Sequence, residues 1–400
     1  GKNGEPLFLA NVFLNGTSTG TVTDINGFFI ITNVAPGKYT LLITYLGYDS
    51  IMYEIELKKG EVFSKKFYMQ PKAIEFKNIV VEGEKLIRET TTQVSYTRVT
   101  PEQIGKLPSV GALPEISQYL QILPGITLTS DIGGQMYVRG GAPVQNKFII
   151  DGMTVFNPIH SVGVFSVIEA SMVKSMEIYR GGFNADIGNR ISSVINIKTI
   201  EGNRKRIAFN GNLSTMGVTG LVQIPILKIK EEQESSSALI LSFKHSLIPQ
   251  YEKIMKEVNP YFPEMPYYFT DIYGKFSINS KQGHSFTLSA FNFTDRAKHR
   301  EADIKWWNRG ASTSFLLVPP SIQTTYNVLL AYSSFFIKME EGSSTPRSNT
   351  YNSFEGSVLA TYYYKQNELK YGFDINFTST DLLFMTPYGG QLSYEDNSTD

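Results

Sequence analysis

The sequence predicts a mainly β chain in three parts. These are an N-terminal β-sandwich, a mixed α+β domain, and then antiparallel strands of a transmembrane β-barrel that is incomplete within 400 residues. Three observations carry this reading. Short β-prone runs with turn residues between them fill residues 1–72. Long runs of polar/apolar alternation fill the last part. Aromatic residues number 20 in 1–206 and 31 in the shorter stretch 207–400, as the girdles and lipid-facing side of a membrane barrel require.

Composition narrows the function classes. Lys+Arg and Asp+Glu both number 37, which leaves no electrostatic basis for binding nucleic acid. There are no cysteines, so a disulfide framework, cysteine-ligated zinc, iron–sulfur clusters and thiol catalysis are excluded. The four histidines (His160, His245, His284, His299) are far apart in sequence, and they supply a metal site or a catalytic triad poorly. No enzyme, metal or cofactor is expected. The charge-free run Gly310–Ile337 is long enough to span a bilayer as a helix. It contains Pro319-Pro320 and many hydroxyl and amide side chains, so it does not read as one. The chain opens Gly1-Lys2-Asn3-Gly4 in mid-motif, which is compatible with a leader removed upstream.

In residues 1–72 the expected strands are Asn11–Leu14, Thr21–Asp24, Gly27–Thr32, Gly37–Tyr45, Ile51–Leu57 and Phe63–Met69. Asn15-Gly16, Asn26-Gly27 and Pro36-Gly37 supply turns. Gly16-Thr17-Ser18-Thr19-Gly20 fits the nucleophile-elbow spacing, which demands a following helix, a histidine and an acid. A strand follows instead, and the nearest histidine is His160, so this is read as a hairpin loop. The wording Gly4-Glu5-Pro6-Leu7, then Gly20–Phe29, then Val34-Ala35-Pro36-Gly37-Lys38-Tyr39, resembles the carboxypeptidase-regulatory-like domain. That resemblance implies a non-catalytic appendage.

Residues 73–106 read as a linker. Within it, Ile79, Val80, Val81, Glu82 and Gly83 form a short β-prone run with charged flanks. The run is either an edge strand or linker, or a segment that adds to a partner's sheet edge through backbone hydrogen bonds. In position and pattern it resembles a TonB box, which implies the periplasmic domain of TonB as partner.

Residues 107–200 carry a succession of short motifs. Leu107-Pro108-Ser109 and Leu123-Pro124-Gly125 come first. Tyr137-Val138-Arg139-Gly140-Gly141 and Phe148-Ile149-Ile150-Asp151-Gly152 follow. Met176–Phe183, with Arg180, Gly181 and Gly182, and Gly188–Thr199, with Arg190, close the region. This succession resembles the plug domain of TonB-dependent outer-membrane receptors, here with the N-terminal appendage typical of the Bacteroidota type. Phe148–Ile150 reads as a buried strand beside an Asp-Gly turn, and Ile116, Leu120 and Leu123 share a helix face. No Gly-Lys in the chain is followed by Ser or Thr, which excludes a P-loop. The resemblance implies that Arg139, Arg180 and Arg190 meet acids on the inner barrel wall; the alternative is solvated surface arginines.

Residues 201–400 read as the first part of the barrel. In Leu369–Thr378, Phe373 and Ile375 are expected to face lipid, with Asp374 and Asn376 facing inward. Short links at Lys281-Gln282-Gly283, Pro319-Pro320 and Gln366-Asn367 alternate with long ones at Leu247–Thr270, Thr294–Arg309 and Lys338–Thr350. The long links would be external loops. Trp306, Trp307, Tyr267 and Tyr268, placed in them, read equally as ligand contacts or as filling of the loops' own cores.

About nine strands are countable, against about 22 in plugged transporters. An open sheet edge is not viable in lipid, so the stretch is read as part of a longer barrel. The resemblance then implies a multi-pass protein of the Gram-negative outer membrane with its N-terminal domain in the periplasm. Its activity would be import of a scarce solute through the plugged barrel, energised by TonB. Outer-membrane lipid and, with less support from the plug wording, a surface lipoprotein lid or larger complex are the further partners. A structural or assembly subunit of such a complex is the rival reading.

Overall fold

A computed structural model describes residues 3–396 apart from 18, 59, 73–95, 101–102, 105, 107–113, 129–134, 161–162, 164, 184, 189, 229–234, 264, 266, 300–301, 320–322, 342–345, 365–366 and 386–390. The TonB-box-like run 79–83 and the motif at 107–109 lie outside the described residues.

The N-terminal domain is a four-stranded antiparallel sheet of β1 (Asn11–Leu14), β2 (Gly20–Val22), β3 (Gly37–Thr44) and β4 (Ile51–Leu57), in the order β2-β1-β3-β4. Alternation sends Val12, Leu14, Leu41 and Ile43 into one core. Gly27–Thr32 and Phe63–Met69, expected as strands, are not strands. The Asp24 carboxylate accepts the amides of Asn26 (2.9 Å) and Phe28 (2.8 Å), which takes the start of the first segment out of any ladder. Phe29, Ile31 and Phe67 pack on the sheet's core by side chain alone. The second layer of the sandwich is therefore built by packing and not by hydrogen-bonded strands.

The middle domain holds a five-stranded mixed sheet ordered β5-β10-β11-β8-β9 and a two-stranded ribbon of β6 (Ile126–Leu128) and β7 (Met136–Val138). The sheet strands are β5 (Tyr96–Val99), β8 (Asn146–Ile150), β9 (Met153–Thr154), β10 (Val173–Arg180) and β11 (Ser193–Thr199). Helix α1 (Ile116–Gln121) buries Ile116 and Leu120, as its spacing predicts. Strand β5 lies within the stretch read as linker. It pairs with β10 from Tyr96↔Tyr179 to Val99↔Met176, so this domain's sheet begins before residue 107.

The last part is one antiparallel sheet of ten strands in chain order. They are β12 (Ala208–Leu213), β13 (Gly217–Leu227), β14 (Ser236–Ser246), β15 (Tyr267–Asn279), β16 (Ser285–His299), β17 (Ala302–Leu317), β18 (Thr324–Glu341), β19 (Arg347–Tyr364), β20 (Asn367–Met385) and β21 (Gln391–Asp396). Strands β12 and β21 are its edges. Helix α2 (Ile248–Val258) fills most of the link between β14 and β15.

Several strands exceed the expectation. Strands β16 to β20 run 15 to 19 residues, where about 9–11 suffice to cross a bilayer. The expected loop Thr294–Arg309 is mostly strand: β16 and β17 pair as far as His299↔Ala302. A strand standing in water above the membrane can be polar on both faces, so its composition imitates a loop.

One face of the ten-stranded sheet is apolar and exposed. Phe209, Phe243, Ile272, Leu288, Phe315, Tyr332, Phe354, Phe373 and Ile375 lie on it. The other face receives the middle domain. One core cluster joins Ile150, Met153, Ile178 and Ile195 of that domain to Ile240, Tyr273, Phe291, Trp306 and Ala331 of the sheet. No helix among the described residues is long and apolar enough to cross a membrane.

Candidate functional site

The site is the seam between the middle domain and the sheet's inner face. It begins with two tight turns. Asp151 (φ 45°) and Gly152 (φ 88°) join β8 to β9, the two positive φ values that a type I′ hairpin needs. A Cβ on Gly152 would lie 2.5 Å from Leu329 Cδ1 on β18, so glycine also permits the close approach to the wall. Arg139 (φ 48°) and Gly140 (φ 78°) make the same kind of turn, closed by the Gly141 amide donating to Val138 O at 2.8 Å.

From the first turn Asp151 meets the wall. Thr199 Oγ1 donates to Asp151 Oδ2 at 2.5 Å, the Tyr273 hydroxyl donates to the same carboxylate, and Lys275 Nζ lies 3.3 Å from Oδ1. Ser312 Oγ donates to the Asp151 carbonyl at 2.9 Å. Burial alone would raise the Asp151 carboxyl. Lys275, Lys198 and the hydroxyl donors outweigh it and hold the group below the ordinary carboxylate range.

Three more polar locks cross the seam. Glu115 pairs with Lys244 at 2.6 Å and accepts from Ser166 N and Oγ, both at 2.9 Å. Lys147 pairs with Glu355 at 2.7 Å, while Thr154 Oγ1 donates to the other Glu355 oxygen at 2.6 Å. His160, fully buried, sits between two wall carboxylates: Nε2 is 2.8 Å from Asp271 and Nδ1 is 2.9 Å from Asp295. Its ring stacks on Phe269 at 4.0 Å and on Trp306 at 5.7 Å. Burial opposes charge on this imidazole, but the two carboxylates outweigh it and push its pKa up to about 9. Both ring nitrogens then donate.

The arginines of the motifs serve another corner. Arg180 donates to Pro124 O at 2.7 Å and Thr97 Oγ1 at 2.8 Å, and Arg190 Nε donates to Asn146 O at 3.2 Å. The Arg139 amide donates to Gly125 O, and its side chain lies against Gly181. The segments at 123–125, 139–141 and 180–182 thus meet inside the domain. Arg180 and Arg190 thus have partners within their own domain. The described ion pairs between domain and wall run through Lys147, Lys244, Lys275 and His160, and two of these cations belong to the wall.

The aromatic candidates do not sit in loops. Trp306 is on β17, 2% exposed, under the middle domain. Trp307 points the opposite way, stacked on Phe336 at 5.7 Å with Arg309 over it. Tyr267 packs on the Phe165, Ile248 and Phe269 cluster, while Tyr268 faces outward on β15. Continuous pairing of β15, β16 and β17 puts all four residues on strands. His160, Asp271, Asp295, Glu115 and Lys244 were not singled out for this seam. A lone charge at an inward position of an otherwise apolar alternation, as at Asp271 between Phe269 and Tyr273, is the signal that marks such residues.

A mixed α+β domain seated by buried polar locks on the inner face of a tall, open antiparallel sheet, whose outer face is apolar, is the arrangement of one part of a plugged membrane barrel. The comparisons agree. Residues 1–81 match the CarboxypepD_reg-like domain, and residues 88–226 match the TonB-dependent Receptor Plug Domain. The chain is 26% identical over 212 residues to TonB-dependent receptor P39 of Formosa agariphila, covering 50% of this chain and 19% of the relative. It is 21% identical over 224 residues to TonB-dependent receptor SusC of Bacteroides thetaiotaomicron, covering 53% of this chain and 22% of the relative. The siderophore receptor PirA from Pseudomonas aeruginosa shares the fold with a TM-score of 0.51 at 16% identity, covering 73% of this chain and 49% of that one. The chain therefore spans about half the length of that structure and less of the curated relatives. Over residues 88–226 it therefore carries the plug domain of the TonB-dependent receptors, the proteins its curated relatives are.

Proposed function

We propose that this chain is the N-terminal part of an outer-membrane transporter that imports a scarce solute past its plug when TonB pulls on the segment 79–83. The observation that carries the reading is the chemistry of the seam. Plug and wall share apolar contacts, but their specific ties are ion pairs and hydrogen bonds centred on Asp151, His160, Glu115 and Glu355. Each of these ties can be replaced by a hydrogen bond to water when the plug moves, so the plug can shift without unfolding the wall. The N-terminal domain touches the end with the short links: Lys66 Nζ donates to Ser280 O at 3.2 Å, and Phe28 meets Tyr363 at 5.9 Å. We place that end in the periplasm, where TonB acts. TonB and membrane lipid are the partners this reading requires. A lipoprotein lid would sit at the opposite end.

The test uses the full-length receptor. A cysteine at Val80, introduced on a cysteine-free background, should form a disulfide with single cysteines placed along the edge strand of purified TonB periplasmic domain. Val80→Pro removes a backbone donor and should abolish parallel cross-links from a cysteine at Glu82. Absence of any cross-link from positions 79 to 83 would sink the proposal.

A further inference from the structure

Residues 200–207 join the plug to the wall, between β11 and β12, and belong to neither helix nor strand. They are the covalent link between the two, so any swing of the plug must bend them. Gly202 turns there at a φ of 90°, and a Cβ on it would lie 2.8 Å from Ile240 Cγ2 of β14. Buried charges stiffen this joint. Glu201 accepts from Lys174 of the plug at 3.3 Å, from Arg204 at 2.6 Å and from Asn279 of the wall at 2.9 Å. Arg204, 1% exposed, also donates to Ser277 Oγ of the wall at 3.2 Å, and Ser277 Oγ donates to Glu201 O at 2.8 Å. Plug, joint and wall thus share one polar network, which is strong only while water is kept out.

The N-terminal domain lies over this network and adds to it. The Arg204 amide donates to Asn3 O at 2.6 Å, Asn203 Nδ2 donates to Asn3 Oδ1 at 3.2 Å, and Lys174 Nζ donates to Ile25 O at 2.6 Å. The same domain reaches the plug again through Phe8, whose ring lies 5.0 Å from the Arg98 guanidinium. It reaches the wall through Lys66, whose Nζ donates to Ser280 O at 3.2 Å in the link between β15 and β16. One small domain therefore holds the plug, the joint and the wall at once, across the seam.

We infer that the N-terminal domain is a brace: docked, it locks the joint 200–207, and the plug swings freely only after the domain has come away. Its core (Val12, Leu14, Leu41, Ile43) is separate from the core shared by plug and wall, so it can leave as a body. Its departure admits water to Lys174, Glu201 and Arg204, and their mutual hold weakens. The inference rests on the transport reading for its purpose. Residues 79–83 lie in the chain between this domain and β5, so a pull there reaches the brace from one side and the plug from the other. Its geometry is independent of TonB.

The experiment follows amide hydrogen exchange by mass spectrometry in the full-length receptor held in lipid nanodiscs, with no TonB present. Deleting residues 1–72 should speed exchange at least about tenfold, the ratio for losing one hydrogen bond to a charged group. The rise should cover 200–203 and the abutting ends of β10 and β11, where Val173 pairs with Thr199 and the Ile200 amide donates to Met172 O at 2.9 Å. Exchange in β17 and β18 should stay as it was, which shows that the wall is folded. If it rises, the decisive variant is Phe8→Ala/Lys66→Ala, which keeps the domain, removes two of its holds and should speed exchange in the same places. No rise, or a rise confined to the Arg204 amide, whose acceptor Asn3 has been deleted, would overturn the inference. Because TonB is absent, that failure is distinct from a failure of the cross-linking test above.

Discussion

Replacing Phe373 with arginine measures whether the alternating face of β20 meets lipid. Phe373 is 61% exposed on the sheet's outer side, in the middle of the outward series Leu369, Tyr371, Phe373, Ile375 and Phe377. Eight residues separate the ends of that series. At about 3.4 Å per residue and a tilt of about 40°, this makes a band about 20 Å tall, close to the apolar band of an outer-membrane barrel. Phe373 then lies near the midplane, where an arginine costs about 2–4 kcal/mol. Asn376 points the other way: its Oδ1 accepts from Ser353 Oγ at 3.1 Å, and it stands opposite Glu355 in the ladder. An arginine there gains a carboxylate neighbour and water, so Asn376→Arg should cost well under half as much. The assay is urea titration of the full-length receptor refolded into lipid vesicles. Equal losses, or a larger loss for Asn376→Arg, would refute the register and the membrane assignment together.

Three other perturbations address the seam. Lys244→Met strands Glu115, which is 2% exposed, and should cost about 3 kcal/mol, the usual penalty for half of a buried pair; adding Glu115→Gln should restore much of it, and no recovery in the urea midpoint would argue against the pair. Gly152→Val meets both a positive φ and the Leu329 side chain, so it should loosen the plug by about 1–3 kcal/mol; unchanged protease resistance of the plug would contradict the close approach. The His160 pKa is raised above the ordinary 6.5 to about 9, so the stability it contributes is fully present below about pH 6.5 and is lost as pH rises through about 9. The gap in urea midpoint between the native receptor and His160→Asn should therefore shrink between those values, and a constant gap would mean that the imidazole stays neutral throughout.

What the sequence determined by itself is local. The alternation of β20 sets which side chains share a face, because successive residues of a strand point oppositely whatever lies around them. The Asp151-Gly152 turn is legible for the same reason, since two positive φ values are a demand on those residues alone. The order of plug motifs identifies the domain, and the apolar spacing of Ile116 and Leu120 marks its helix. What only the tertiary structure decided depends on partners distant in the chain. His160 is bracketed by aspartates 111 and 135 residues away. Trp306 looked like a loop residue and lies beneath the plug because β16 and β17 keep pairing past the membrane. Strand β5 joined the plug from within the apparent linker because β10 offered it an edge. Gly27–Thr32 failed to become a strand because the carbonyl and carboxylate of Asp24 take the amides of Gly27 and Phe28 at its start. Periodicity records how neighbouring residues are oriented. Which hydrogen-bonding edge and which buried charge each of them meets is settled when the plug and the sheet come together.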